Sequence, residues 1–360
     1  MCGNAQIFIM KKRILVAPLN WGIGHATRCI PIINALIEQN FEPIIATDGA
    51  ALALLKKEFK QLIFIELPAY NITYSKSKSS FKWRLFRQLP KIKKAILKEH
   101  LAIKKIVHEY AIEGIISDNR MGVYCSKIPS VFITHQLNVL SGMTTKLSTS
   151  LHDYYLKKFD ECWVPDFENS PNLSGKLGHD FNTKLLPIKY IGALSRLKKE
   201  VVKSEFDIMV LLSGPEPQRG LLEKKLFVEL NDFKGNILFV KGKIEGEQRI
   251  EKKQQFTIYN FMTSADLQQA LNSSDFVISR SGYTTVMDLA KLGKKAFFIP
   301  TPGQFEQEYL AENLQTQGII PSCNQKEFSL KKLEKLDNFT GFDALDCNTD
   351  FESLFKLFQA

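Results

Sequence analysis

Short runs of β-branched and aromatic residues alternate with longer segments of 3.6-residue apolar period along the whole chain. That alternation is the signature of parallel sheets covered by helices. It predicts strands near 14–18, 43–47, 62–66, 112–117, 130–134, 161–164 and 188–191. After the polar stretch S-R-L-K-K-E-V-V-K-S-E the pattern restarts, with strands near 208–212, 237–240, 257–259, 276–279 and 296–300. In the first expected helix, Cys29, Ile32, Ile33, Leu36 and Ile37 follow the i, i+3, i+4, i+7, i+8 spacing of one buried face. Pro31, which has no amide hydrogen, makes that helix begin late or kink early. The fold class is therefore α/β, with two Rossmann-like parallel-sheet domains facing across a cleft. The expected division is 1–195, a linker at 196–206, a second domain at 207–345, and a closing amphipathic helix at 346–360 packing back on the first domain.

The 360 residues suffice for two ordinary domains, and 44% apolar with 24% charged residues excludes a disordered chain. No apolar run approaches the ~18–20 residues that span a bilayer. The stretch up to Lys12 is too short for a secretory signal, and Met10 is an alternative start. Six cysteines (2, 29, 125, 162, 323 and 347) show no C-x-x-C spacing and read as reduced thiols of a cytosolic protein. The net charge of +10 is concentrated: residues 71–110 hold eleven Lys/Arg and two acids, leaving 37 basic and 36 acidic residues elsewhere. One basic stretch points to a local anionic partner. No aromatic-rich sheet module accompanies it, so nucleic acid is not the expected partner.

Ligands of open parallel sheets bind beyond the carboxyl ends of the strands, so the chemistry is sought in the loops there. The first loop, N-W-G-I-G-H, contains Gly22, Gly24 and His25. It lacks the third small residue of a dinucleotide fingerprint, having Thr27 there, although Asp48 after the second strand could meet a ribose. His25 either serves as a general base or hydrogen-bonds its own loop. A second turn, Arg280-Ser281-Gly282-Tyr283-Thr284-Thr285, enters a helix ending at Gly293, with Asp288 one turn along. Hydroxyls and free amides at a helix start suit phosphate, and a carboxylate suits ribose hydroxyls; Ser281 and Thr284 can equally be N-caps. A third loop, T-P-G-Q-F-E-Q-E, places amides and carboxylates at the same sheet edge.

These residues resemble the GT-B glycosyltransferases, specifically the MurG-like group of family 28, which transfers a sugar from a UDP-sugar to a lipid-linked acceptor. The likeness is strongest from Phe261 to Gly318 (F-M-T-S-A-D-L, D-F-V-I-S-R-S-G-Y-T-T-V-M-D-L-A, P-T-P-G-Q-F-E-Q-E-Y) and weaker over most of the chain. It implies that Arg280, Ser281, Gly282 and Thr285 hold the donor diphosphate, with Thr284 beside them at the donor site, and that Asp288, where the group usually has Glu, binds the ribose. Phe261 and Met262 would meet the base, and Arg196 the donor. Gln307 and Glu308 would meet the donor sugar, the second departing from the family's Gln. Ser213 and Gly214 stand in the phosphate loop, where Pro215 and Pro217 remove amide donors. On the acceptor side the resemblance implies Gly22, Gly24, His25, Asn119, His135 and Asn138, the last two from H-Q-L-N in place of H-E-Q-N.

The activity so implied is inverting transfer of a sugar, an N-acetylhexosamine, with His25 taking the acceptor's proton. No two aspartates are two residues apart, so no metal and no cofactor is expected; Arg280 and the helix start would stabilise the leaving diphosphate. The basic stretch 76–105, with apolar residues among its cations, fits an anionic membrane surface at the cytoplasmic face or a solvated helix face. Two other readings share the scaffold: a sugar-nucleotide hydrolase or epimerase, and a non-catalytic nucleotide-sugar-binding protein.

Overall fold

In the computed structural model, residues 11–70, 81–138, 152–179, 186–243, 245–343, 345 and 348–359 are described, with the backbone alone for 81–90. Cys2 and Cys347 lie outside them; Cys29, Cys125, Cys162 and Cys323 are free thiols. Seven parallel strands build the first sheet in the order β3-β2-β1-β4-β5-β6-β7. They are β1 (Arg13–Pro18), β2 (Glu42–Thr47), β3 (Ile63–Glu66), β4 (Gly114–Asp118), β5 (Ser130–Ile133), β6 (Glu161–Val164) and β7 (Ile188–Tyr190). β4, β5 and β6 are buried throughout, which is why such strands read as continuous apolar runs. The order reverses between β1 and β4, so this sheet's topological switch point lies where the N-W-G-I-G-H loop leaves β1.

The second sheet has the order β10-β11-β9-β8-β12-β13. Its strands are β8 (Phe206–Leu211), β9 (Ile237–Val240), β10 (Ile250–Lys253), β11 (Phe256–Tyr259), β12 (Ser274–Ser279) and β13 (Lys295–Phe298). β10 is absent from the sequence expectation because I-E-K-K is fully exposed and pairs antiparallel on one edge. The helix Tyr283–Leu292 stops where Gly293 takes φ 63°, the left-handed conformation that ends helices cheaply only at glycine.

Helix α1 (Gly24–Glu38) begins at Gly24 and runs through Pro31, burying Cys29, Ile32, Ile33 and Leu36 completely. Helices α2 (Gly49–Glu58) and α3 (Phe81–Glu109) flank the same sheet. α3 is tied down by Glu99, which accepts Arg120 Nε (2.6 Å), Tyr70 OH (2.7 Å) and the Gly122 amide (2.9 Å). Arg120 also donates to Asp48 Oδ1 at 2.7 Å and to the Pro68 carbonyl at 3.0 Å. Asp48 accepts Asn20 Nδ2 as well. It is thus a brace for the fold, which removes the ribose reading. The chain closes with helix Phe351–Phe355 and a 3-10 turn, Lys356–Phe358. Phe355 and Phe358 are buried beside Trp163 of the first sheet, and Lys12 Nζ donates to the Phe358 carbonyl.

Candidate active site

The first sheet's switch point assembles a charged cluster. His25 sits in the first turn of α1, and Asp118 ends β4, the strand beside β1. His25 Nδ1 is 3.0 Å from Asp118 Oδ1, and Arg28, one turn further on α1, donates to both Asp118 oxygens, with Nε at 2.7 Å from Oδ2. Arg28 Nη2 also lies 2.9 Å from His25 Nδ1. A guanidinium only donates and already has Asp118 as its acceptor, so the proton on the ring belongs at Nδ1, facing the carboxylate. Nε2 has no hydrogen-bond partner among the described residues and carries a free lone pair. Burial pushes the imidazole pKa below 6.5, with Asp118 opposing and Arg28 adding to the drop. Against its burial, the Arg28 guanidinium and the hydrogen bond from His25 hold Asp118 far below the usual carboxylate range. His25 is therefore a neutral, oriented base, and its companions Asp118 and Arg28 are the residues that sequence reasoning misses.

The two halves meet at this point. A Cβ on Gly24 would collide with Thr284 Oγ1, so glycine is required where the first loop touches the second half. Thr284 lies in the first turn of the Tyr283–Leu292 helix, whose N-cap is Gly282. The first intrahelical bond there is Val286 N–H to the Gly282 carbonyl at 3.0 Å. The amides of Tyr283, Thr284 and Thr285 thus have no intrahelical acceptor, and the helix dipole adds positive potential. Thr284, Thr285 and Gly282 are partly exposed.

Several residues expected at the donor site are engaged elsewhere. Arg280 is 1% exposed and donates to the carbonyls of Ile299, Pro300 and Gln218 and to Gln325 Oε1, all at 2.8–3.0 Å. Burial among these neutral acceptors lowers its pKa to about 10, leaving it charged at neutral pH. It binds the turn to the next strand, which corrects the expectation that its guanidinium meets the leaving group. Ser281 is fully buried and donates to the Gln307 carbonyl at 2.7 Å, so its hydroxyl joins two loops instead of facing a phosphate. Gln307 Oε1 accepts the Thr301 amide, and Glu308 Oε1 the Gly303 amide at 2.7 Å. Both side chains brace their own loop, a second correction. A third concerns Asn138, whose Nδ2 is committed to the carbonyls of Lys176 and His179.

The residue of that loop that reaches the other half is Glu306. His135 Nε2 lies 3.0 Å from its Oε1, and Gln136 Nε2 donates to its Oε2 at 2.8 Å. His135 stacks on Tyr283 with centroids 3.9 Å apart and planes 6° apart, and Tyr283 OH donates to the Pro165 carbonyl. Asn119 stands beside Asp118 with φ 61°, donating its amide to the Ile133 carbonyl.

Asp288 accepts Ser195 Oγ at 2.5 Å, and burial raises its pKa to about 6 against the pull of Ser195 and Arg196. Arg196 Nη1 is buried without a hydrogen-bond partner. Phe261 and Met262 are partly exposed; the Phe261 carbonyl accepts Gln248 Nε2. Ser213 and Gly214 are exposed, and Glu216, just before the N-cap Pro217 of the following helix, Gln218–Glu229, accepts the Gly220 amide at 3.0 Å. The protein's own carboxylate thus stands where the sequence resemblance would place phosphate. Among the described residues no three His, Cys, Asp or Glu side chains converge to hold a metal ion.

Residues 221–338 match the glycosyltransferase family 28 C-terminal domain model. The UDP-N-acetylglucosamine--N-acetylmuramyl-(pentapeptide) pyrophosphoryl-undecaprenol N-acetylglucosamine transferase of Clostridium tetani is 24% identical over 339 residues, covering 91% of this chain and 90% of the relative. The enzyme of that name from Glaesserella parasuis is 25% identical over 347 residues, with 91% and 90% covered. Among solved structures, MurG of Acinetobacter baumannii superposes with TM-score 0.60 at 14% identity, covering 97% of this chain and 99% of that one. The glycosyltransferase SnogD of Streptomyces nogalater gives 0.64 at 13%, with 97% and 95% covered. The two sheets and these likenesses agree on a GT-B fold, and over nine tenths of its length the chain is similar to the MurG-like glycosyltransferases.

Proposed function

We propose that the chain moves a sugar, an N-acetylhexosamine, from a UDP-sugar to a lipid-linked acceptor, with inversion and without a metal. The observation that carries this is the neutral His25, held through Nδ1 by Asp118, beside a helix start with free amides. An acceptor hydroxyl would attack the anomeric carbon as its bond to the diphosphate breaks, and the hydroxyl proton would pass to His25 Nε2. Negative charge growing on the leaving group would meet the helix start at the amides of Thr284 and Thr285, an interaction worth up to ~2 kcal/mol in partly buried geometry. Arg196, whose Nη1 is buried without a hydrogen-bond partner, would assist in place of Arg280. Asp288 would take the ribose, and Phe261 with Met262 the uracil.

The test is product analysis with UDP-N-acetylglucosamine, with and without a polyprenyl-diphosphate-linked sugar, in excess chelator. The expected outcome is UDP release that needs the acceptor, an inverted glycosidic linkage, and unchanged rates in chelator. Release without acceptor would mean hydrolysis or epimerisation, and loss in chelator would remove the metal-free reading.

Asp288 gives donor binding a pH dependence. Its raised pKa means that the carboxylate is protonated as pH falls through about 6, and a ribose hydroxyl then loses its anionic acceptor. UDP-sugar affinity, measured by calorimetry, is expected to weaken between pH 7.5 and pH 5, and Asp288→Asn to flatten that dependence. A wild-type affinity constant with pH would contradict the role.

Among the described residues no helix is long and apolar enough to cross a membrane. Residues 76–80 of the basic stretch, and the side chains of 81–90, lie outside the described ones. Further along α3, Ile96, Ile103 and Ile106 are buried, while Leu97 (58%) and Leu101 (52%) are exposed among exposed Lys93, Lys94, Lys98, Lys104 and Lys105. Apolar anchors among cations suit an anionic lipid surface, which supports peripheral attachment at the cytoplasmic face of the membrane. At about 1 kcal/mol per basic residue, changing Lys93, Lys94 and Lys98 to Gln should weaken binding to phosphatidylglycerol vesicles roughly a hundredfold. Equal sedimentation of wild type and variant would discard this surface.

A further inference from the structure

A continuous hydrogen-bond chain runs from the second half of the protein to the catalytic imidazole of the first. Glu306 Oε1 is 3.0 Å from His135 Nε2, and Arg28 Nη1 is 3.3 Å from His135 Nδ1. Because arginine only donates, His135 Nδ1 is the acceptor and Nε2–H donates to Glu306, so both ring nitrogens are engaged. Arg28 then grips Asp118, and Asp118 holds His25. All but Glu306 belong to the first half, and Arg28, Asp118 and His135 are at most 6% exposed. Tyr283, stacked on His135, fixes its plane from the donor helix.

We propose that Glu306 is a positioning residue: by anchoring His135 it sets Arg28, and through Arg28 the orientation and charge of the Asp118–His25 pair, so that docking of the donor half makes the base competent. This rests on the reading of His25 as base. The groups facing His25 are Arg28 from α1, Asp118 from β4, His135 from the turn after β5, and Glu306 from the helix Phe305–Thr316. Of these, Glu306 and Asp118 are the carboxylates that favour the imidazolium.

Glu306→Gln removes one negative charge while keeping the side chain's length. The expected result is a kcat about tenfold lower with KM for the UDP-sugar within twofold, and an acid limb of the pH–rate profile moved to lower pH. Glu306→Asp, which keeps the charge, should restore part of that limb. In a His25→Ala background the Glu306→Gln change should cost less than twofold, because its route is gone. Ring-nitrogen NMR of the six histidines, assigned with His25→Ala, reads the same shift without turnover and applies even where residual activity is too low. It should also show His135 protonated at Nε2 and losing that single state in Glu306→Gln. A full tenfold cost in the His25→Ala background, or an unmoved His25 titration, would overturn the relay while leaving His25 as base. Wild-type turnover in His25→Ala alone would instead sink the reading on which the relay rests. Should Glu306→Gln not fold, His135→Gln cuts the chain at its middle and is read by the same titration.

Discussion

Replacing His25 with alanine is expected to lower kcat roughly a hundred- to ten-thousand-fold, the range typical of a lost general base, with UDP affinity unchanged by calorimetry. The nucleotide would lie against the second half, whereas His25 belongs to the first and touches it only at the junction. The pH profile sharpens the test. Burial holds the imidazole pKa below 6.5, so the neutral base persists somewhat to the acid side of an ordinary histidine, and the acid limb of kcat/KM should fall below 6.5. The same shift means that the unfolded chain takes up a proton that the folded one resists, so His25 makes stability fall as pH drops through 6.5. Near-normal turnover in the variant would remove His25 from the reaction.

The largest stability loss is expected at Arg120, which contacts no part of the proposed substrate path. It is 0% exposed and joins Glu99, also 0% exposed, to Asp48. Arg120→Met would leave two buried carboxylates without their cation, at a cost of about 3–5 kcal/mol. In urea, the transition of the first half should move to much lower concentration. Arg120→Met combined with Glu99→Gln should recover part of the loss, because the uncompensated charge is then gone. Since Glu99 helps to tie α3 to the sheet, membrane binding should weaken with it. An unchanged urea midpoint in the single variant would show that the pair is not holding the helix.

The parallel strands were legible because burial on both faces leaves continuous apolar runs, as in β4 and β5. β10 was not, since an exposed polar edge strand has no such run. In the site, His25 was legible from its glycine loop, but Asp118 lies 93 residues later, and only the adjacency of β1 and β4 brings the two together. Arg280 misleads for a related reason. The turn motif shows that an arginine stands beside a helix start, but the direction of its guanidinium is set by the carbonyls ending β13, which no local pattern reports. Gln307 and Glu308, expected at the donor sugar, turn inward to cap their loop, whereas Glu306 faces the other half. Contacts between halves depend on how two sheets dock, and that is the part of the site a linear reading misses.

A crystal structure of the protein with UDP bound tests the central claim most directly. The expected result is a diphosphate within hydrogen-bond reach of the Thr284 and Thr285 amides, the ribose on Asp288, and the terminal phosphate oriented towards His25 Nε2. A nucleotide seated away from the junction, or reaching the turn only through an added metal ion, would contradict it.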